Sequence, residues 1–492
     1  MEARREEGLL LSWSGGVCAE LVGLCRGLGA EYADARLERG TVESLRVRNG
    51  ALDLAVTRES EGVGVRALVN GRWGFAAAPA EGLSARTLAE RAVDLAKAAA
   101  LAGEEPVRLD DWPAQKGDFA TNFEKDPFAV PLRDKVDYLL ACDSEMRGVE
   151  GVKVSEAVMY FWRDEKWFAS SEGGAIRQVL VGSGGGIECT VVGPGEAQTR
   201  SYPNSHGGDL AHAGYEFIER MGLRENARRT AEEAVALLNA KQCSAQETDV
   251  ILMGGQLFLQ IHESCGHPIE LDRALGTEVS FAGASFLTPE KFGKFRYGSK
   301  HVNITADATA PGAVGSFGYD DEGVPAQKTP VMREGLFVGY LTSRETAPRL
   351  GQRSNGAMRA DGWENLPLIR MTNINLEPGE GRLEDLIADT KKGLLLNTNK
   401  SWSIDDHRLN FQFATEWARE IVDGKLGALV KNASYGGMTP EFWNSCDAVT
   451  GPEEWRIWGV ANCGKGEPVQ TMRVGHGCSA ARFKKVRVGV SG

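Results

Sequence analysis

Residues 262–267 read HESCGH, and two histidines close to a glutamate are typical of a site that binds a catalytic metal ion. In the common zinc-peptidase motif the histidines are four positions apart, whereas His262 and His267 are five positions apart. Each residue of a regular α-helix advances by about 100°, so these two side chains would point about 140° apart. A regular helix would therefore favour one surface histidine and one core histidine.

Two neighbouring residues disfavour a regular helix at this point. Pro268 has no N–H to donate to the carbonyl of Ser264, and its ring clashes with the preceding turn. Gly266 adds backbone freedom. A π-bulge joins residues i and i+5 by a hydrogen bond, and it would place His267 where the i+4 residue normally lies. If both histidines bind a metal, we expect the helix to bulge or bend over residues 262–268.

The segment lacks a third ligand, because a catalytic zinc site takes three protein ligands and keeps one position for water. Glu270 and Asp272 follow closely, and Cys265 is three positions after His262. The residues alone leave the choice open among these, the distant cysteines and the other histidines. Glu263 is adjacent to one ligand, and we expect it to act as the general base that takes a proton from the metal-bound water. The other histidines are His206, His212, His301, His407 and His476.

The elements around this segment predict an α+β fold with two domains. Residues 1–242 are expected to form an N-terminal α/β domain with hairpins and long helices, one of them capped by Ser84. Residues 243–492 are expected to form a C-terminal β-rich domain that carries the metal-binding helix. Four dipeptides predict hairpin turns: Asn49-Gly50, Asn70-Gly71, Glu334-Gly335 and Asp423-Gly424.

Composition narrows the class of protein. The net charge of −12 argues against binding of nucleic acid, which depends on basic surface. No apolar run reaches the roughly 18 residues that a membrane span needs, so we expect no membrane partner. Glu6 and Glu7 interrupt any signal-peptide core. Nine cysteines without a C-x-x-C pair indicate reduced thiols, and we expect a cytoplasmic protein.

Three other motifs invite functional interpretations that the surroundings do not favour. The glycines of GSGGG at 182–186 do not open a helix, so we expect strand and turn instead of a nucleotide site. The sequence YDDEG at 319–323 lacks EF-hand spacing, and we expect a solvated turn. Asp405-Asp406-His407 is expected to be a loop cluster that does not support a metal ligand.

The chain resembles the TldD/PmbA family of bacterial and archaeal metallopeptidases, specifically its TldD-like catalytic branch. The resemblance covers nearly the whole chain. In the first half it rests on residues 32–77, from YADARLERG to GRWGFAA. In the second half it rests on LQIHESCGHPIELD, GSFGYDDEGVPAQKTPVMREGLFVGYLTSRETA, SNGAMRADGWENLPLIRMTN and NCGKGEPVQTMRVG.

The resemblance implies a zinc ion, one per chain, bound by the two histidines and by a distant cysteine that begins a C-G-K segment. Only Cys463-Gly464-Lys465 matches that segment, so Cys463 becomes the implied third ligand. The resemblance also gives Glu263 the role of general base. Three other cysteines and one histidine then receive other interpretations: Cys265, Cys446 and Cys478 are structural, and His476 lies at the surface.

The resemblance further implies a zinc-dependent peptidase that acts on short or unfolded peptides as a homodimer or as a heterodimer with a family paralogue. Asn355 and Arg359 belong to a family-like loop and are expected to contact the substrate. An extended peptide could also pair with a sheet edge near the metal. Two alternatives remain open: a noncatalytic modulator or partner subunit, and a dedicated hydrolase that matures one modified peptide.

Overall fold

The structure is a computed structural model that describes residues 16–82, 84–102, 105–281 and 283–490. Glu6 and Glu7, on which the expectation about a signal peptide depends, lie outside the described residues. Among the helices within those ranges, none combines the length and the apolar character that crossing a membrane requires.

Long antiparallel strands and five helices make up the first half of the described chain. The strands are β1 Tyr32–Arg48, β2 Ala51–Val69, β3 Arg72–Pro79, β4 Lys116–Ala120, β5 Val152–Ser170, β6 Ala175–Gly193, β7 Glu196–Tyr202 and β8 Asp209–Ala211. The helices are α1 Gly16–Gly27, α2 Ala85–Ala99, α3 Leu132–Arg147, α4 Glu216–Met221 and α5 Leu223–Leu238.

These strands form one sheet in the order β3-β2-β1-β5-β6-β4, and β7 and β8 also pair with β6. Helices α1 and α2 pack with β1 and β2 around one apolar cluster, and α3 and α5 pack with β5 and β6 around a second. The Ser84 hydroxyl accepts a hydrogen bond from the Thr87 N–H at 3.3 Å and caps α2 as predicted. The fold class is the α+β class that the sequence predicts.

The four predicted hairpin turns are confirmed. In each turn both central residues have a positive φ angle, as in Asn49 at 50° and Gly50 at 83°. The registers close each turn on two residues, because Arg48 pairs with Ala51 and Val422 pairs with Lys425. These turns fix the strand register in both halves of the chain.

The glycine-rich stretch at 182–186 lies within β6, and aromatic rings of the neighbouring strand β5 lie over it. A Cβ atom on Gly182 would be 2.0 Å from the Trp162 ring, and one on Gly184 would be 2.2 Å from the Tyr160 ring. The glycines therefore make room for aromatic packing, and the strand assignment is confirmed.

The second half is rich in strands and carries short helices. The strands are β9 Lys241–Gln242, β10 Gln246–Leu252, β11 Ile304–Asp307, β12 Lys328–Arg333, β13 Leu336–Phe337, β14 Met358–Arg359, β15 Leu368–Ile369, β16 Ile374–Leu376, β17 Lys392–Ile404, β18 Asn410–Val422, β19 Lys425–Lys431, β20 Ala433–Met438, β21 Cys446–Val449, β22 Arg456–Lys465, β23 Gln470–Cys478 and β24 Ala481–Val490. The helices are α6 Gly254–Ile261, α7 Leu271–Leu275, α8 Leu383–Ala388 and α9 Thr439–Asn444.

The largest sheet of this half runs in the order β17-β10-β24-β20-β18-β19-β9, and β21 pairs with β24. Because β17 also pairs with β18, five of these strands form a closed circuit of hydrogen-bonded neighbours. Helix α6 follows β10 directly and contributes to the same apolar core as this sheet. Strands β22 and β23 form a separate hairpin, and this hairpin and the end of α6 supply the residues of the candidate site.

A network of buried charges joins the two halves and corrects one prediction. Asp320, Asp321 and Glu322 of YDDEG are buried, so this segment is not the solvated turn that we expected. Arg66 of β2 lies 2.6 Å from Asp34 of β1 and 3.4 Å from Glu322. The prediction failed because the cations that pair with Asp321 and Glu322 come from the sheet of the first half, more than 150 positions away.

Removing Arg66 tests this network. Arg66→Ala leaves Asp34 and Glu322 buried without their cation, so we expect the free energy of unfolding to fall by about 3 kcal/mol or more. Arg86→Ala is the matched control because the Arg86–Glu90 pair is exposed, and we expect little change. The midpoint of denaturant unfolding measures both variants. Equal midpoints for the two variants would contradict the structural role of the network.

Candidate metal centre

The two histidines of HESCGH lie on an irregular turn that continues α6. Residues His262–Gly266 form one turn of π-helix, and the N–H of His267 donates to the carbonyl of His262. A 3-10 turn, His267–Ile269, follows with Pro268 in it. The two imidazole rings come to a centroid separation of 4.8 Å at an interplanar angle of 88°. The predicted bulge is confirmed, and it brings both histidines to the same side.

Side chains from other segments hydrogen-bond to and pack against the backbone of this turn. Because Pro268 has no N–H, the carbonyl of Ser264 lacks its regular helical donor, and the Tyr297 hydroxyl donates to it at 2.5 Å. A Cβ atom on Gly266 would be 2.1 Å from the sulfur of Met371, so only glycine allows this close contact. The irregular turn is thus a packed feature of the core.

Cys463 reaches the histidines from the β22–β23 hairpin. Its Sγ lies 3.9 Å from Nε2 of His267, which is shorter than the sum of a Zn–S and a Zn–N bond, about 4.4 Å. Ligand atoms of His262, His267 and Cys463 all lie within 4.8 Å of one another, and all three residues are buried. Two imidazoles and one thiolate are a donor set that suits zinc.

Each histidine has a partner for its other ring nitrogen. Nδ1 of His267 lies 3.0 Å from Oε2 of Glu270, and that oxygen also accepts from Nε of Arg273 at 2.8 Å. Nδ1 of His262 lies 2.7 Å from Nε2 of His476. This arrangement leaves both Nε2 atoms for the metal, and it matches the outer partners that orient metal-binding histidines in proteins.

His476 corrects a second prediction, since it is fully buried and not at the surface. Its Nε2 accepts from the Nδ1–H of His262 when that ligand binds through Nε2, and its own Nδ1 lies 3.3 Å from the carbonyl of Ile374. The sequence contained a signal for this burial. Val474, His476 and Cys478 alternate along β23 and are all buried, as expected for the core face of a strand.

The lysine of the C-G-K segment, Lys465, holds the strand of Cys463 in place. Its Nζ lies 2.7 and 2.8 Å from the two carboxylate oxygens of Asp272 and donates to the carbonyl of Ile369 at 2.7 Å. This buried ion pair fastens the strand of Cys463 to the segment that follows His267. Asp272 is therefore held by lysine, and Glu270 acts on His267 from outside, so neither nearby acid is part of the ligand cluster.

Burial and nearby charges set the protonation states that metal binding requires. Burial lowers the pKa of both His262 and His267, which favours the neutral imidazoles that act as ligands. Burial raises the pKa of the Cys463 thiol, but the charges of His267 and Arg370 lower it by more, so the pKa lies below its usual value. Burial likewise opposes ionisation of Glu270, yet Lys465 and Arg273 hold its pKa well below the usual value.

Glu263 lies beside the cluster and is paired with an arginine that the sequence did not reveal. Its Oε2 accepts from Nη1 of Arg408 at 2.6 Å, and both side chains are buried. Arg408 has a φ angle of 65°, and the Thr439 hydroxyl donates to its carbonyl at 2.7 Å. The preceding Asp405 accepts from two backbone N–H groups of the same turn, which confirms a loop cluster at this point.

A cavity of about 560 Å³ opens onto the cluster. Its walls include the three candidate ligands, Glu263 and Arg408, and Ser205 and His206 from the first half of the chain. Three apolar side chains of its wall are also exposed to solvent by 40–48%, and these are Phe281, Trp402 and Val469. The site therefore combines a polar floor with an apolar rim.

The two residues expected to contact substrate lie outside this cavity wall. The Asn355 side chain accepts from the N–H and hydroxyl of Thr342 and donates to the carbonyl of Tyr340, so it holds a loop in place. Arg359 donates to the carbonyls of Met371 and Arg473 and lines a neighbouring cavity. Substrate contact by either residue stays a prediction.

Replacing the candidate thiolate ligand tests the cluster. We expect Cys463→Ser to lose most bound zinc, because a hydroxyl is a much weaker zinc ligand than a thiolate. Cys446→Ala, which alters a buried cysteine outside the cluster, should keep about one zinc per chain. Metal analysis after dialysis against a weak chelator measures both. Full zinc retention by Cys463→Ser would contradict this ligand set.

The hydrogen bond from His476 gives a second prediction. His476→Ala removes the group that orients His262, so we expect zinc affinity to fall by about 10- to 100-fold while the ligands remain. Competition with a chromogenic chelator measures the affinity, and the exposed His301→Ala serves as the control. Unchanged affinity in a folded His476→Ala variant would show that this contact does not support the site.

The chain is similar to known proteins over most of its length. Models of the PmbA/TldA metallopeptidase match in three consecutive parts: domain 1 over residues 33–100, the central domain over 125–240 and the C-terminal domain over 245–490. A metalloprotease of Methanocaldococcus jannaschii is 29% identical over 91% of this chain and 95% of its own length. A zinc metalloprotease TldD homolog of Saccharolobus solfataricus is 26% identical over 50% of this chain and 52% of its own.

Two solved structures share the fold. One is a candidate modulator of a DNA gyrase from Thermotoga maritima, with a TM-score of 0.76, 16% identity, and coverage of 96% of this chain and 99% of that one. The other is TldE from Thermococcus kodakarensis, with a TM-score of 0.72, 15% identity, and coverage of 96% and 100%. The chain belongs to the PmbA/TldD family of metallopeptidases.

Proposed function

We propose that this chain is a zinc-dependent peptidase that hydrolyses short or unfolded peptides, with one zinc per chain and Glu263 as general base. The convergence of His262, His267 and Cys463 in one buried cluster at the floor of a cavity carries this proposal. The relatives named metalloproteases, one of them a zinc metalloprotease, support it.

The chain's own residues would divide the work of hydrolysis. His262, His267 and Cys463 would hold zinc, which when bound supplies an acidified water and polarises a carbonyl. Glu263 is next to a ligand without being part of the ligand cluster, so its carboxylate can take the proton of the water and pass it to the leaving amine. Arg408 holds that carboxylate in one orientation.

The shape of the cavity supports a peptide substrate. A volume of about 560 Å³ is within the range of small-ligand sites and excludes a folded domain. The exposed apolar rim offers contacts to side chains of any sequence, and it also offers apolar surface to a second subunit. We propose either a homodimer or a heterodimer with a paralogue around this site.

A noncatalytic role is the second candidate, because one structural neighbour is described as a candidate modulator and the other as TldE. Those likenesses are at 15–16% identity and concern the fold alone. The intact cluster and the adjacent Glu263 favour the enzyme over the modulator. Dedicated maturation of one modified peptide would use the same residues.

Peptide cleavage tests the proposal directly. Glu263→Gln keeps the shape of the side chain and a hydrogen-bond acceptor for Arg408, so we expect retained zinc and a loss of about 100- to 10,000-fold in rate. Mass spectrometry of a short-peptide library, with and without chelator, measures cleavage, and the exposed Glu290→Gln is the control. Near-normal cleavage by Glu263→Gln would refute the base assignment, and cleavage that survives complete metal removal would refute the zinc mechanism.

A further inference from the structure

A second cavity, of about 420 Å³, lies next to the metal cavity. The two cavities share Ala461 and Thr471, which belong to the β22–β23 hairpin that also carries Cys463. Ala461 lies in the irregularity between Val460 and Cys463, where the register of the hairpin shifts. The hairpin therefore forms a common wall, and the second cavity is within reach of a short peptide bound at the metal.

Two guanidinium groups line this second cavity against aromatic rings. Arg359 lies over the ring of Phe317 at 5.5 Å, and Arg473 lies over the ring of Trp162 at 4.4 Å. Both rings line the cavity as well. Stacking on an aromatic face fixes the plane of a guanidinium and leaves its edge for an acceptor. The wall of the cavity thus holds cationic groups in defined orientations.

Among the described residues, Arg359 is a cation of this wall that has no paired carboxylate. Its two terminal nitrogens donate to backbone carbonyls, and its Nε is buried without a hydrogen-bond partner within the described residues. In the part of the chain that the structure describes, no carboxylate forms an ion pair with Arg359, and the nearby acids pair with other cations. Burial, followed by repulsion from Arg370, lowers the pKa of Arg359 to about 9. A bound carboxylate would compensate this charge.

The acids around the cavity do not fill that role, because each of the deeper ones already has a cation. Asp321 lies 3.3 Å from Lys166 and 3.4 Å from Arg36, and Asp164 lies 3.3 Å from Arg473. Glu38 lies 2.7 Å from Arg36. The remaining acids of the wall are exposed to solvent, and these are Glu59, Asp361 and Glu364.

We propose that this second cavity is a subsite for a carboxylate of the substrate, bound by Arg359 with Arg473 beside it. This proposal rests on the peptidase function proposed above. The carboxylate is either the free C-terminus of a short peptide or an acidic side chain close to the bond that is cleaved. The subsite would give the enzyme a preference for substrates that end, or carry an acid, a short distance from the metal.

One peptide sequence made in three forms tests the subsite. The first form has a free C-terminal carboxylate, the second a C-terminal amide, and the third a C-terminal amide with one glutamate added. For the unaltered enzyme we expect at least one carboxylate form to exceed the neutral amide in kcat/KM by about 10-fold or more, chiefly through KM. The form that is preferred identifies the source of the carboxylate.

Variants then assign the preference to the cavity. Arg359→Gln should reduce the preference to less than about 3-fold, and Arg359→Lys should keep part of it, because lysine retains the charge without the planar donor edge. Arg349→Gln removes an exposed arginine outside the cavity wall and should keep the full preference. If Arg359→Gln does not fold, the three peptide forms and Arg359→Lys still test the subsite. Equal kcat/KM for all three forms with the unaltered enzyme overturns it.

Binding separates the subsite from the chemistry. Calorimetry with the zinc-loaded Glu263→Gln enzyme measures the affinity of the same three peptides without turnover. Tighter binding of a carboxylate form that depends on Arg359 supports the subsite even if no peptide is cleaved, in which case the proposed function alone fails. Cleavage of all three peptides at one rate, with equal affinities, overturns the subsite and leaves the peptidase function intact.

Discussion

The hydrogen bond from the His267 N–H to the His262 carbonyl spans five residues, and the rest of the site depends on it. On a regular α-helix, whose hydrogen bonds span four residues, these two imidazoles would point about 140° apart. The π-turn removes that divergence and brings the rings 4.8 Å apart. The hydrogen bond that this turn loses is replaced locally, because the Tyr297 hydroxyl donates to the Ser264 carbonyl that Pro268 leaves without a donor.

A single C-terminal hairpin completes the centre. It supplies the thiol of Cys463, the imidazole of His476 that contacts the first ligand, and the ammonium of Lys465 that holds the hairpin to Asp272. The buried Lys465–Asp272 ion pair and the His262–His476 contact both join the hairpin to the helical segment, so the site is complete only when the hairpin is in place. A metal that binds only this assembled form would stabilise the folded chain.

Interactions between residues close in sequence predicted much of the fold and part of the site. The hairpin turns, the cap at Ser84 and the bulge near Pro268 depend on residues within a few positions, and each is observed. The third ligand needed a resemblance, because Cys463 is far from HESCGH in sequence. His476 was assigned wrongly although the alternation along β23 indicates its burial. The YDDEG acids were assigned wrongly and Arg408 was missed because their partners belong to distant segments.

We propose that one zinc ion is held by two imidazole nitrogens and one thiolate from opposite ends of the second half of the chain. X-ray absorption at the zinc edge of the loaded protein measures this donor set directly. We expect one sulfur at about 2.3 Å and two imidazole nitrogens at about 2.0–2.1 Å from the zinc, with an oxygen donor as the fourth ligand. A first shell without sulfur, or with sulfur that persists in Cys463→Ser, would contradict it.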